Sequence, residues 1–270
     1  MTRRILIAGA AGNIGSKLAA HFHALGWQLE LLDRVGGAGI TVCDMSAWNE
    51  TWAARFERAD TVVLLAGDPS PRADWSTLQS GNLDLPLNVF EAAARAQVRR
   101  VVFASSNWTM AGYRFADCPL TTDLEPRPVT SYGMAKLAVE RVARSFTARR
   151  NMSAICLRVG YCQRGDNLPG PHMGWGEWGQ AMWLSNRDLV HGFECAITAP
   201  DSAHFAVLNL MSANPGMRWD IEQTRRVIGY VAQDGARPVV DGESEDRTRM
   251  AAAAFDMVTA TERWLAQTRY

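Results

Sequence analysis

Residues 4–19 constrain the fold of this chain most: Arg4-Ile5-Leu6-Ile7-Ala8-Gly9-Ala10-Ala11-Gly12-Asn13-Ile14-Gly15-Ser16-Lys17-Leu18-Ala19. Ile5 to Ala8 form a short apolar run suited to a parallel strand covered on both faces, and helical spacing resumes at Ile14, Leu18 and Phe22. Three glycines lie between. Gly9 can take the angles of a tight turn, Gly12 lets main chain approach a pyrophosphate, and Gly15 lets the helix pack closely on the strand. Unpaired amides at the helix start would face the phosphates, so Asn13 and Ile14 join the glycines as expected cofactor contacts. The next apolar segment, Gln28 to Asp33, ends in an acid about twenty residues after the glycines, where a dinucleotide fold places its ribose-binding carboxylate. Asp33 can accept from both adenosine ribose hydroxyls and would repel a 2′-phosphate, which predicts NAD rather than NADP. Arg34 beside it could pair with that phosphate.

Lysine plus arginine equals aspartate plus glutamate at 28 each, so no overall field favours nucleic acid or an anionic membrane. Cysteines at 43, 118, 156, 162 and 195 form no C-x-x-C pair and no ligand spacing with the five histidines, which predicts reduced thiols in a cytoplasm and no metal. No signal-type segment precedes the first strand and no run approaches membrane-spanning length.

Further along, Ile40 to Cys43 reads as a third strand closed by Asp44, which is either a helix cap or a second carboxylate near the adenine edge. Asp44 or Ser46 could cap a helix carrying Trp48, Trp52 and Phe56 as core. Thr61 to Gly67 is a fourth strand, whose end at Ala66 and Gly67 would pass close to cofactor. A proline-bearing loop over Asp68 to Arg72 follows, at the carboxyl edge where open parallel sheets bind ligands, and Ser70 in it is expected at the substrate. A helix is expected from Asn82, itself a cofactor candidate, to Ala96. Val101 to Ala104 is strand five and Ser153 to Gly160 strand six, with Cys162 emerging beside the cofactor. Further expectations are a helix over 186–199, a strand over 205–210, and helices over about 219–228 and 244–267.

A second constellation carries chemistry. Ser105-Ser106-Asn107 follows strand five, and Tyr132 and Lys136 share one face at the start of a helix over 131–149. An ammonium near a phenol favours phenolate and lowers a pKa of about 10 toward working pH. Ser106 can hold a substrate oxygen while Tyr132 takes its proton.

Gly9-x-x-Gly12-x-x-Gly15, Asp33, the serine after strand five and Tyr132-x-x-x-Lys136 together resemble the extended short-chain dehydrogenase/reductases, over roughly residues 3 to 230. Within that family, the stretches 100–107, 132–136, 157–162 and 183–188 are most similar to bacterial uronate dehydrogenases. The resemblance implies that Ser106 orients a substrate hydroxyl, Tyr132 is general base, Lys136 lowers the Tyr132 pKa and binds nicotinamide ribose, and Asn107 binds a sugar hydroxyl. It also implies a homodimer or homotetramer through the helices near 82–96 and 131–149. The chain departs from that branch at two places. Trp108 replaces the usual His after the Asn, and no Arg precedes Trp183, where Trp178 stands after an insertion holding Arg164 and His172.

These readings converge on an α/β fold, a single Rossmann-type doubly wound parallel sheet, with residues 163–200 and 211–270 contributing a small substrate lobe. The expected activity is NAD-dependent oxidation of the anomeric hydroxyl of an aldose or sugar acid, a uronate or sulfo-sugar, to a lactone. Trp108, Arg164, His172 and Trp178 are the expected distal contacts of the substrate. A nucleotide-sugar epimerase or dehydratase would use the same triad but normally needs a larger C-terminal lobe. A non-catalytic NAD-binding redox sensor would be marked by loss of the triad, which is intact.

Overall fold

The computed structural model describes residues 3–240 apart from 174, together with scattered positions between 242 and 260. Seven strands form one sheet: β1 (Arg4–Ala8), β2 (Gln28–Asp33), β3 (Ile40–Val42), β4 (Thr61–Leu64), β5 (Arg100–Ser106), β6 (Ser153–Val159) and β7 (Phe205–Leu210). Their order is β3-β2-β1-β4-β5-β6-β7 and every pairing is parallel. The chain reverses its direction of travel between β1 and β4. Ligands of such sheets bind at the carboxyl ends of the strands beside that reversal.

Strand periodicity sorts the core into two layers. Leu6, Ala8, Val62, Leu64, Val101 and Phe103 point to one face, while Ile5, Ile7, Val63 and Val102 point to the other. The first face is covered by α2 (Glu50–Ala53), α4 (Leu85–Arg95) and α5 (Ser131–Arg149), the second by α1 (Asn13–Ala24), α7 (Asn186–Thr198) and α8 (Glu222–Ile228). Short helices α3 (Trp75–Leu78) and α6 (Gly176–Ala181) lie in the loops of the carboxyl edge.

Several boundaries differ from the sequence reading. The helix expected around Trp48, Trp52 and Phe56 is α2, capped by the Asn49 side chain on Thr51 N at 2.7 Å, running into a 3-10 turn over Ala54–Arg58. The helix expected from Asn82 begins as a π-helical turn over Gln79–Asp84 and becomes regular at Leu85, with Pro86, which has no N–H to donate back into that turn, directly after the change. Residues 186–198, expected in a substrate lobe, belong to the sheet: Leu189, Phe193, Ala196 and Ile197 of α7 pack in the second layer beside α1. A separate apolar cluster forms around Met110, Tyr113, Leu120, Met182, Met211 and Trp219, to which the segment after β5 contributes. The helix expected over 244–267 falls largely outside the described residues.

Candidate active site

At the end of β1, Gly9 takes φ +98°, and a Cβ there would lie 2.6 Å from Ala66 N. A Cβ on Gly15 would lie 2.1 Å from Gly9 O, so only hydrogen fits where α1 crosses β1. Gly12 precedes α1 with φ −70°, and a Cβ on it would meet only Gly9 O, at 3.3 Å. The outer side of the turn is therefore open to a ligand, as a pyrophosphate cradle requires. Asp33 ends β2 beside this turn. Its Oδ2 accepts from Ala11 N and its Oδ1 from Val35 N, both at 2.9 Å, fixing the carboxylate where ribose hydroxyls would lie. Arg34 next to it is exposed.

Asp44 resolves its two readings toward a turn: Oδ1 accepts from Ser46 N at 2.9 Å and Ser46 Oγ at 2.7 Å, which holds its carboxyl below the usual range. Asn82 was expected to touch cofactor, but its buried amide is used up on the backbone of Asp68, accepting from N at 2.8 Å and donating to O at 3.0 Å. It braces the loop after Ala66 and Gly67. Asn13 Nδ2 donates to Cys162 O at 3.1 Å, and Lys17 Nζ donates to Gln163 O at 2.7 Å, stitching the start of α1 to the exit of β6. Burial pushes the Cys162 thiol up.

The reactive groups come from two elements. Ser106 closes β5, and its Oγ accepts from Trp108 N at 3.2 Å and donates to Asn107 Oδ1 at 3.3 Å. Tyr132 sits in the first turn of α5, whose start is capped by Thr130 Oγ1 accepting from Gly133 N at 3.1 Å. Lys136 follows one turn later. Its Nζ donates to Ala104 O at 2.9 Å and lies 5.7 Å from the Tyr132 ring centroid. All three are buried. Burial pushes the Tyr132 phenol up to about 12, against a lowering from its hydrogen bond with Ser106, and Asp68 adds to the rise. Burial pushes the Lys136 ammonium down to about 8. The expected lowering of Tyr132 by Lys136 is thus outweighed by desolvation of the phenol.

A cleft of about 410 Å³ joins these groups. Its lining runs from Ile14, Gly67 and Cys162 past Ser106, Tyr132 and Lys136 to Ser70, Asn107, Trp108 and Trp175. Asn107 Nδ2 is 2.8 Å from Met182 Sδ, and the Trp108 and Trp175 rings meet edge to face at 5.3 Å. The structure leaves three expected substrate contacts outside this lining. Arg164 and His172 are exposed elsewhere. Asn167 is the cause for the first: it accepts from Gln163 N at 2.8 Å and donates to Leu184 O at 2.7 Å, turning 164–166 outward. Trp178 packs on Trp219, with centroids 4.4 Å apart, and under Arg218 at 4.8 Å. Asp68, Arg72, Tyr161 and Met182 line the cleft without having been singled out from sequence. Their signal was the proline-bearing loop after β4 and the position just past β6. Among the described residues no cluster suits a metal ion, all five cysteines are free thiols, and no helix is long and apolar enough to cross a membrane.

The NAD dependent epimerase/dehydratase family matches residues 5–162. The chain is 31% identical over 271 residues to an NAD-dependent glucose-6-phosphate dehydrogenase of Haloferax volcanii, covering 91% of this chain and 99% of that protein. It is 31% identical over 258 residues to an L-arabinose 1-dehydrogenase (NAD(P)(+)) of the same organism, covering 88% and 99%. A crystal structure of a uronate dehydrogenase mutant from Agrobacterium tumefaciens, complexed with NAD, superposes with a TM-score of 0.72 at 26% identity, covering 87% of this chain and 86% of that one. A matching glycine turn, a fixed ribose-site carboxylate and a buried Ser/Tyr/Lys set on one doubly wound sheet therefore have a common explanation: this chain belongs to the NAD-dependent epimerase/dehydratase family of extended short-chain dehydrogenase/reductases.

Proposed function

We propose that this enzyme oxidises the anomeric hydroxyl of an aldose or aldose derivative, with NAD as acceptor, to give a lactone. The observation that carries the reading is the convergence of Ser106, Tyr132 and Lys136 on one cleft that also reaches Ile14 at the glycine turn. The similarity to dehydrogenases named for glucose 6-phosphate and for carbon 1 of L-arabinose supports the sugar class.

Gly9, Gly12 and Gly15 with the first amides of α1 hold the pyrophosphate, and Asp33 holds the adenosine ribose. Lys136 lies where it can reach the nicotinamide ribose. When bound, NAD supplies the hydride acceptor. Ser106 Oγ, anchored by Trp108 N, holds the sugar hydroxyl oxygen toward the Tyr132 phenol. Tyr132 takes the hydroxyl proton as the C–H bond breaks, and Lys136 stabilises the ionised phenol from below. Burial raises the phenol even with the Lys136 ammonium 5.7 Å from its ring, so the further positive charge of a bound nicotinamide would be needed to lower it for turnover. The reading includes a cytoplasmic enzyme that works as a homo-oligomer through α4 and α5.

The test is a panel of aldoses, sugar acids and sugar phosphates with NAD, following reduced cofactor and identifying the product by NMR. A lactone, or the aldonate from its hydrolysis, is expected. No cofactor reduction with any sugar of the panel would reject the reading.

A further inference from the structure

A charged sugar would need a cation in the cleft, and neither Arg164 nor His172 lines it. The charged residues that do are Asp68, Lys136 and the solvent-exposed Arg72. Lys136 is committed to Ala104 O beneath the Tyr132 ring. Arg72 differs: among the described residues its guanidinium has no partner. Its backbone is fixed, with Arg72 N donating to Ser70 Oγ and Ala73 N donating to Ser70 O, both at 3.2 Å, in a turn flanked by Pro69 and Pro71. The neighbouring acids are spoken for. Asp68 Oδ1 accepts from Ser70 N at 2.8 Å, and Asp74 Oδ1 accepts from Thr77 N and Ser76 Oγ, both at 2.8 Å, to cap α3. Among the described residues no carboxylate pairs with the Arg72 guanidinium and no ring stacks on it.

The loop thus sets two residues of opposite charge along one cleft. Asp68 acts electrostatically on Tyr132, so the negative charge lies at the chemical end. An anionic substituent is repelled there, while sugar hydroxyls can donate to the carboxylate. A free guanidinium fork suits a carboxylate, sulfonate or phosphate, and Trp108 and Trp175 in the same lining offer flat faces for a sugar ring. Resting on the proposed sugar oxidation, we propose that Arg72 is the anion receptor of this cleft and that the substrate is an aldose with an anionic group distal to carbon 1. Asp68 and Arg72 together orient it, with carbon 1 toward Tyr132 and the anion toward Arg72.

Steady-state kinetics of the full chain with NAD test this, using glucose 6-phosphate, glucuronate, 6-deoxy-6-sulfoglucose and neutral glucose as separate arms. The arm with the highest kcat/KM identifies the anion. Arg72→Met should raise KM for that anionic sugar by about 10- to 100-fold, the size of a lost charge-assisted hydrogen bond, with kcat little changed. Arg72→Lys should recover part of the loss. KM for glucose and Kd for NAD should stay as in the unaltered enzyme. Three results would overturn the assignment: equal effects on charged and neutral sugars, no effect on any, or a loss of NAD affinity, which would put Arg72 at the cofactor. An unaltered enzyme that oxidises only neutral aldoses would also overturn it while leaving sugar oxidation standing. Absence of cofactor reduction with every arm would remove both.

Discussion

At Tyr132 the chemistry is decided by competition between burial and charge. Burial is the largest influence on both groups, with the phenol at about 12 and the Lys136 ammonium at about 8. Oxidation needs the Tyr132 phenol ionised and the Lys136 ammonium charged. Each group is protonated below its pKa, so raising the pH ionises the phenol but, above about 8, takes the charge from Lys136. The kcat/KM for sugar oxidation is therefore expected to rise to a maximum at about pH 8 and to fall above it; a flat profile, or a rise that continues to about pH 10, would contradict this. Tyr132→Phe removes the proton acceptor and little binding surface, so kcat should fall by about 10²- to 10⁴-fold with NAD affinity nearly intact. Fluorescence titration beside turnover assays separates the two quantities. Asp33 serves a different selection. Its two oxygens are fixed by Ala11 N and Val35 N, leaving a rigid negative charge where a 2′-phosphate would lie. Asp33→Ala should therefore narrow the preference for NAD over NADP when both are titrated, and an unchanged ratio would remove Asp33 from that role.

At the scale of elements, the cleft depends on how α5 is tied to β5 and β6. Glu140, one turn beyond Lys136, accepts from Arg158 Nε at 3.0 Å and Nη2 at 2.9 Å and from Ser105 Oγ at 2.6 Å, all buried. This network holds the neighbour of Ser106 and the helix of Tyr132 in one register. Glu140→Ala would leave the Arg158 guanidinium buried without its partner, a loss of about 3–5 kcal/mol. Denaturant unfolding should show it, and paired replacement of both residues by apolar ones should recover much of it. Elements of this kind were legible only in part. The short continuous apolar runs of β1, β4, β5 and β6 and the glycine turn read directly from sequence, because each is a local pattern. Glu140 with Arg158 did not, since their meeting depends on α5 lying across β6. The outward turn of 164–166 likewise hangs on Asn167 reaching Leu184, a contact no spacing announces. Charged residues in an insertion looked like a binding site, whereas the arginine that lines the cleft comes from the loop after β4.

At the scale of the molecule, the sheet order and the reversal between β1 and β4 follow from the strand and helix succession, while the separate apolar cluster draws on segments far apart in sequence. Trp75, Leu87 and Met134 are exposed apolar groups on α3, α4 and α5, helices that pack together, which supports association through that face. Light scattering at micromolar concentration should show a dimer or larger, and combined Leu87→Lys and Met134→Lys should shift it toward monomer. A monomeric unaltered protein would contradict the expectation.

The proposed reaction requires direct transfer of hydride from carbon 1 of an aldose to NAD within the cleft of Ser106, Tyr132 and Lys136. An accepted aldose labelled with deuterium at carbon 1, with mass spectrometry of the cofactor after one equivalent is turned over, tests this. Reduced cofactor is expected to carry the deuterium, and the sugar product to be the unlabelled lactone or aldonate. Unlabelled reduced cofactor, or an epimerised sugar with NAD unchanged, would contradict it.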